Sequence, residues 1–231
     1  MVSSDEERSL LAIVAALDFR EIRMHGRTAR RTVRSFGVDY DFESFQLTEA
    51  EPMPPALQQA RRRCADLAGV AETSLAEALV TRYPPGSVMG WHRDAPVFGP
   101  TVVGLSLGSA CLMRFRRGTA EKRRVYEVEL VPRSAYVLSG AARSSWQHSI
   151  PPVPQLRYSV TFRQLRRAAG WQWITWARTP YPGRPAACRL TVAASSPSRH
   201  PGPAVRLTSG VRSTCRRVLP AHGAVHEAGP T

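Results

Sequence analysis

Two short stretches hold the residues best suited to chemistry. The first is His92-Arg93-Asp94, within Met89-Gly90-Trp91-His92-Arg93-Asp94. In an extended chain, residues two apart point to the same side, so His92 and Asp94 can reach one metal ion together. A third ligand has to come from a distant strand. His148, in Trp146-Gln147-His148-Ser149-Ile150, is the good candidate inside the part of the chain expected to fold, whereas His25, His200, His222 and His226 read as surface or tail. Two histidines and one carboxylate make the facial triad of non-heme iron(II), which leaves coordination positions open for a cosubstrate and for oxygen. An H-x-D pattern alone is common by chance, and a lone histidine is usually structural. The set of three carries the reading.

The second stretch is Arg157-Tyr158-Ser159-Val160-Thr161-Phe162-Arg163. Alternation sends Tyr158, Val160 and Phe162 into apolar packing and turns Arg157, Ser159, Thr161 and Arg163 the other way. Six strand steps separate the two arginine Cα atoms by ~20 Å. Long side chains leaning inward could bridge much of that gap and grip the ends of a small dicarboxylate, because guanidinium forks bind carboxylates in a bidentate manner. Taken alone, the motif also reads as an amphipathic strand with its arginines in water.

These residues need a framework. The spacing predicts a helix over 4–18, with Ser4 and Glu7 as a capping box. A second helix is predicted over 55–69, entered through proline and closed by Gly69, with Leu57, Ala60, Cys64, Leu67 and Ala68 on one face. Residues 19–50 mix arginines, aromatics and turn residues, and 36–42 read as short strands and loops. From residue 76 onward β-rich runs recur at 78–83, 101–107, 110–115, 125–130, 135–138 and 157–163, separated by turns such as Pro84-Pro85-Gly86 and Gly108-Ser109. Regularly spaced short strands predict a sandwich or barrel, and a jelly roll fits. The fold class is therefore mainly β with flanking helices, in one domain over 1–183. The segment 184–231 holds seven arginines and one acid, Glu227, among many Pro, Ser, Gly and Ala. It lacks sustained periodicity and is expected not to fold.

Net charge is +14, and Lys122 is the sole lysine. Outside the segment 184–231, twenty-five basic residues stand against seventeen acidic ones, a net +8. Arginine in excess suits a polyanion such as nucleic acid, although a compositional bias would leave the same mark. Arg27, Arg30, Arg31 and Arg34 cluster ahead of Phe36, Tyr40 and Phe42. They are candidates to clamp phosphates and stack a base, the aromatics having the competing role of core residues. The four cysteines, Cys64, Cys111, Cys188 and Cys215, have neither C-x-x-C nor zinc spacing and are expected as free thiols. No apolar run approaches a membrane span, and the start of the chain lacks a secretory signature. A cytoplasmic monomer without a membrane partner is expected.

In order and spacing, Thr81-Arg82-Tyr83-Pro84-Pro85-Gly86, His92-Arg93-Asp94, Gly104-Leu105-Ser106-Leu107-Gly108, His148 and the run 157–163 resemble the AlkB family over about residues 25–167. The resemblance implies a double-stranded β-helix, iron(II), 2-oxoglutarate and O2. It implies oxidative decarboxylation of 2-oxoglutarate to succinate, coupled to hydroxylation of a substrate carbon. When that carbon is an N-methyl group of a base, formaldehyde leaves and the base is restored, in DNA or RNA. By the same resemblance Arg157 pairs with the far carboxylate of 2-oxoglutarate, Arg163 lies near the iron-proximal end, Tyr83 adds a hydroxyl hydrogen bond and Ser159 lines the pocket. There are departures. Thr81 and Ser159 stand where the founding pattern has asparagine. Ala95-Pro96 replace acids that contact the damaged base, and Val38 replaces a lid tyrosine. The missing acids after Asp94 favour a second reading, the same oxygenase chemistry on a protein or small molecule. A third reading, a binding protein without turnover, runs against the complete triad and both arginines.

Overall fold

The computed structural model describes residues 2–24 and 26–166, together with Arg189–Ala193 and Arg216–Arg217. Three helices, α1 (Ser4–Ala15), α2 (Pro55–Ala68) and the short α3 (Gly140–Ser144), accompany fourteen strands. These are β1 (Arg20–Met24), β2 (Arg27–Phe36), β3 (Val38–Tyr40), β4 (Leu47–Glu49), β5 (Leu75–Tyr83), β6 (Met89–His92), β7 (Phe98–Gly108), β8 (Cys111–Arg117), β9 (Arg124–Leu130), β10 (Ala135–Ser139), β11 (Gln147–Ile150), β12 (Arg157–Leu165), β13 (Arg189–Ala193) and β14 (Arg216–Arg217).

A seven-stranded sheet runs β1-β2-β5-β12-β7-β10-β13 and a five-stranded sheet runs β14-β9-β8-β11-β6. The described strands pair antiparallel, and the arrangement is the jelly roll expected from the sequence. One face of the large sheet supplies Val80, Leu105, Val160 and Phe162 to a core shared with Leu10 and Val14 of α1 and Leu57, Ala60 and Cys64 of α2. Its other face meets Met113, Phe115 and Ile150 of the small sheet through Tyr83, Val102 and Leu138. The central strands β5, β7, β10 and β12 thus divide their side chains between a helix layer and an interior between the sheets.

Several expectations shift. The capping box is Ser3 and Glu6, one residue earlier than predicted: the Ser3 N–H donates to Glu6 at 2.7 Å and the Glu6 N–H to Ser3 Oγ at 3.2 Å. Glu7 is taken instead by tertiary contacts, accepting from the Gly108 N–H and from Arg133, both at 3.0 Å. Helix α2 matches its prediction, ending in a left-handed Gly69. The stretch expected as loops and short strands contains the ten-residue strand β2, which adds to the sheet beside β5 with Ser35 opposite Leu79. Its alternation was masked by arginines on both faces. Most of 184–231 lies outside the described residues. Two pieces of it are strands, however, β13 on β10 and β14 on β9, so the expected absence of structure does not hold for those seven residues. Leu190-Thr191-Val192 supplies a short β-prone run in β13.

Candidate active site

Strand pairing brings the two metal-ligand segments together. In the antiparallel pair of β6 and β11, His92 sits directly opposite His148, and the ring centroids are 4.2 Å apart. Asp94 follows two residues beyond His92 and turns inward to the same place, with His148 Nε2 4.0 Å from Asp94 Oδ2. One ligand atom from each of His92, Asp94 and His148 falls within 4.8 Å of the others. The donor set fits a divalent metal on three further grounds. His92 Nδ1 lies 2.9 Å from the Gly90 carbonyl, which fixes that nitrogen as a donor and leaves Nε2 free to ligate. Asp94 Oδ2 is buried without a hydrogen-bond partner among the described residues. Burial lowers the His148 pKa to about 4, keeping the ring neutral as a ligand must be. Burial also works to raise Asp94, but the pull of His148, Arg163, Arg143 and His92 prevails and holds its carboxyl at about 2.

The pocket floor is laid out by register. On β12, Arg157 lies between Tyr83 of β5 and Gly108 of β7, Ser159 between Thr81 and Ser106, Thr161 between Leu79 and Gly104, and Arg163 between Glu77 and Val102. Arginines therefore occupy the two end rows, and small hydroxyl residues fill a row between. Tyr158, Val160 and Phe162 turn to the helix core, as alternation predicted. Arg157 is fully buried. Its guanidinium lies 5.0 Å from the Tyr83 ring centroid, donates to Ser106 Oγ at 3.3 Å and also meets the Cys111 thiol. Its Nε and one terminal nitrogen find no partner among the described residues. A buried guanidinium with idle donors is costly unless an anion meets it, and a carboxylate has the matching geometry.

Arg163 occupies the metal end, 3.8 Å from Asp94 Oδ1. Its Nε is 2.7 Å from a Glu77 oxygen, close enough for an ion pair but outside hydrogen-bond alignment, and its guanidinium lies over Phe98 at 4.1 Å. Burial raises the Glu77 carboxyl to about 7 against the pull of Arg163. Glu77 was not among the residues singled out from sequence, yet its spacing from Tyr83 places it on the same strand face. Ser106 and Tyr136 were also missed. Tyr136 reaches Thr161 and packs where a Cβ on Gly104 would come within 2.2 Å of its ring, so residue 104 must be glycine for the tyrosine to lie flat. Arg143, from α3, donates to the carbonyls of Asp94 at 3.2 Å, Ala95 at 2.9 Å and Phe98 at 3.1 Å, and so fastens the segment that follows the H-x-D. A five-residue helix leaves no periodic signal by which to find it.

The residues proposed to meet a polyanion fare unevenly. Arg27 and Arg30 are exposed. Arg31 donates to the Val88 carbonyl at 3.1 Å, and its pKa is lowered by burial. Arg34 pairs with Glu51 at 2.8 Å. Phe36 and Tyr40 do not offer stacking faces. Phe36 is 2% exposed in the helix-side core, and Tyr40, 6% exposed, is locked edge-on between Phe42 and Phe98. Phe36, at the end of its strand, turns into the cluster shared with α1 and α2, which local sequence did not reveal. Val38 lies in the separate β3–β4 ribbon. Cys64 and Cys111 are buried free thiols, and no described helix is long and apolar enough to cross a membrane.

Comparison with known proteins agrees with this geometry. A family model described as the 2OG-Fe(II) oxygenase superfamily matches residues 14–166. An uncharacterised protein, L905, of Acanthamoeba polyphaga mimivirus is 33% identical over 103 residues, covering 38% of this chain and 48% of that protein. The mouse tRNA (carboxymethyluridine(34)-5-O)-methyltransferase ALKBH8 is 28% identical over 160 residues, covering 66% of this chain and 23% of the relative. The chain thus spans about half or less of the length of these relatives. Among solved structures, a Pseudomonas putida prolyl-4-hydroxylase superposes with a TM-score of 0.50 at 16% identity, over 71% of this chain and 89% of that one, which is a likeness of fold.

Proposed function

Because the chain belongs to the 2OG-Fe(II) oxygenase superfamily, and is thereby an AlkB-like iron(II)- and 2-oxoglutarate-dependent dioxygenase, we propose that it oxidatively dealkylates bases in DNA or RNA. His92, Asp94 and His148 hold the iron. Arg157 takes the far carboxylate of 2-oxoglutarate with its idle N–H groups, assisted by the Tyr83 hydroxyl, while Ser159 lines the middle of the pocket and Arg163 the iron-proximal end. Iron and 2-oxoglutarate together supply the power to hydroxylate an unactivated carbon with O2, at the cost of CO2 and succinate. The protein contributes a dry, pre-charged pocket: the buried arginines need no reorganisation when the dianion arrives, and the apolar residues around Met113 and Phe115 exclude water.

The observation that carries the chemistry is the buried, under-partnered Arg157 on the same interior face as a His-Asp-His cluster. The substrate class rests on the net +8 outside the segment 184–231 and on relatives named for tRNA modification and, in Arabidopsis thaliana, for alkylated DNA repair. Succinate release with iron(II) and 2-oxoglutarate, scanned over methylated DNA and RNA oligonucleotides and with none, tests the reading. Stimulation with stoichiometric formaldehyde is expected for at least one methylated strand. A second reading, hydroxylation of a protein or small molecule, draws on Ala95-Pro96 in place of base-contacting acids. It replaces the first if no oligonucleotide stimulates turnover.

A further inference from the structure

A second polar cavity, of about 180 Å³, opens beside the triad and is lined by Arg93, Arg116, Arg117, Arg123, Ser145 and Gln147, with Gly118 at the turn. Four guanidinium groups converge there with no carboxylate among the lining residues. No ion pair among the described residues reaches Arg93, Arg116, Arg117 or Arg123, although eleven other arginine–carboxylate contacts are made elsewhere.

Local structure builds this concentration of charge. Strands β8 and β9 form a hairpin in which Arg117 is directly opposite Arg124, and Arg116 opposite Val125. Like charges across a strand pair are destabilising. Earlier in the same ladder the problem is solved: Arg114 faces Glu127 and pairs with it at 2.7 Å. Gly118, at φ +106°, tightens the turn, and a Cβ there would come within 2.5 Å of the Lys122 carbonyl. A side chain at 118 would therefore pry apart the hairpin that holds Arg117 near Arg123. Arg116 is pre-set rather than loose. Its Nε donates to Gln147 Oε1 at 2.7 Å, and its guanidinium stacks on Trp91 at 4.5 Å. The cavity is also tied to the reaction centre, since Arg93 lies between His92 and Asp94 and Gln147 immediately precedes His148.

We propose that this pocket binds the phosphodiester backbone of a nucleic-acid strand, seating it next to the iron centre. The proposal rests on the nucleic-acid reading above and adds the place where the strand is held. Phosphate suits forked guanidinium donors, and a strand, unlike a free anion, would bring a base toward the neighbouring triad while its backbone is gripped.

The test uses the full chain and a short labelled single-stranded oligothymidylate without alkylation, its binding followed by fluorescence anisotropy over a salt series. Arg117→Glu with Arg123→Glu alters two exposed residues. It is expected to weaken binding at least tenfold and to flatten the slope of log affinity against log salt by about 1.4, the share of two single-strand phosphate contacts. A charge-matched variant on the helix layer, Arg8→Glu with Arg62→Glu, is expected to keep the slope of the unaltered chain. Equal losses in both variants, an unchanged slope in the first, or no binding by the unaltered chain would each overturn the pocket. So would displacement of the oligonucleotide by inorganic phosphate at equal phosphate concentration, which would mark a free-anion site. If circular dichroism shows the reversal variant unfolded, Arg117→Gln with Arg123→Gln takes its place, with a smaller loss in the same direction. Base oxidation is read separately, from nucleoside masses. Pocket-dependent binding without any product leaves the pocket standing and removes the dealkylation reading, and product with binding indifferent to the pocket does the reverse.

Discussion

Arg157 has no acidic partner among the described residues, and two of its nitrogens are idle in a dry pocket. If it grips 2-oxoglutarate as proposed, replacing it with alanine removes two charge-assisted hydrogen bonds, about 3 kcal/mol or more, and should raise the Kd roughly a hundredfold. Arg157→Lys should recover only part, because a point charge cannot satisfy two oxygens at once. Isothermal titration of both variants settles the assignment, and unchanged affinity in Arg157→Ala would refute it. At the metal, His92→Ala and Asp94→Ala should each abolish iron retention while circular dichroism stays native. Full iron content in the purified variants would sink the triad. These positions were readable in the sequence because their spacing, two residues in one case and alternate residues in the other, is a direct statement about strand faces. Arg143 and Glu77 were not, since each acts through a partner distant in sequence.

Segments, more than single side chains, decide whether those residues meet. The carbonyls of Asp94, Ala95 and Phe98, which follow or close the H-x-D, accept hydrogen bonds from Arg143. Arg143→Ala should therefore loosen iron by about ten- to a hundredfold, as expected for an outer partner of a metal ligand. An iron titration in which Arg143→Ala matches the unaltered chain would remove that role. The helix layer has its own fastening, Glu6 of α1 against Arg63 of α2. Glu6 is held at about 2, first by its hydrogen bond to Arg63 and then by the Ser3 N–H. A carboxylate with a depressed folded pKa stabilises above its ordinary value of 4.5 and loses that contribution as pH falls toward 2. Glu6→Gln should lower the melting temperature at pH 7 and leave it nearly unchanged near pH 2. The gap is about 1 kcal/mol at most, because both side chains are about a third exposed. A pH-independent gap would assign the effect to packing. The β-runs from residue 76 onward were legible through their alternation and turns. The strands β1 and β2 at that end of the sheet were not, because arginine on both faces erases the contrast on which alternation depends. For the same reason Phe36 and Tyr40 looked available when helices and aromatic neighbours cover them.

At the scale of the whole molecule, an excess of positive charge says that a polyanion is welcome but not where. Sequence pointed to Arg27 through Arg34, whereas the strand pairing gathers unneutralised arginine at the β8–β9 turn, on the side of the metal ligands. The far end of the large sheet holds one more consequence. Strand β10, Ala135-Tyr136-Val137-Leu138-Ser139, is buried through its first four residues and takes β13 as its outer neighbour, in register from Ala135 with Ala193 to Ser139 with Arg189. Remove that neighbour and a row of bare amide and carbonyl groups on an apolar strand faces water, a ready template for a second molecule to add its own strand. A chain cut after residue 183 should therefore grow in mass with concentration in multi-angle light scattering, while the uncut chain does not. A monodisperse product would show the edge to be guarded by other means. The five residues of β13, on this view, serve as a hem that keeps one sheet from being sewn to the next.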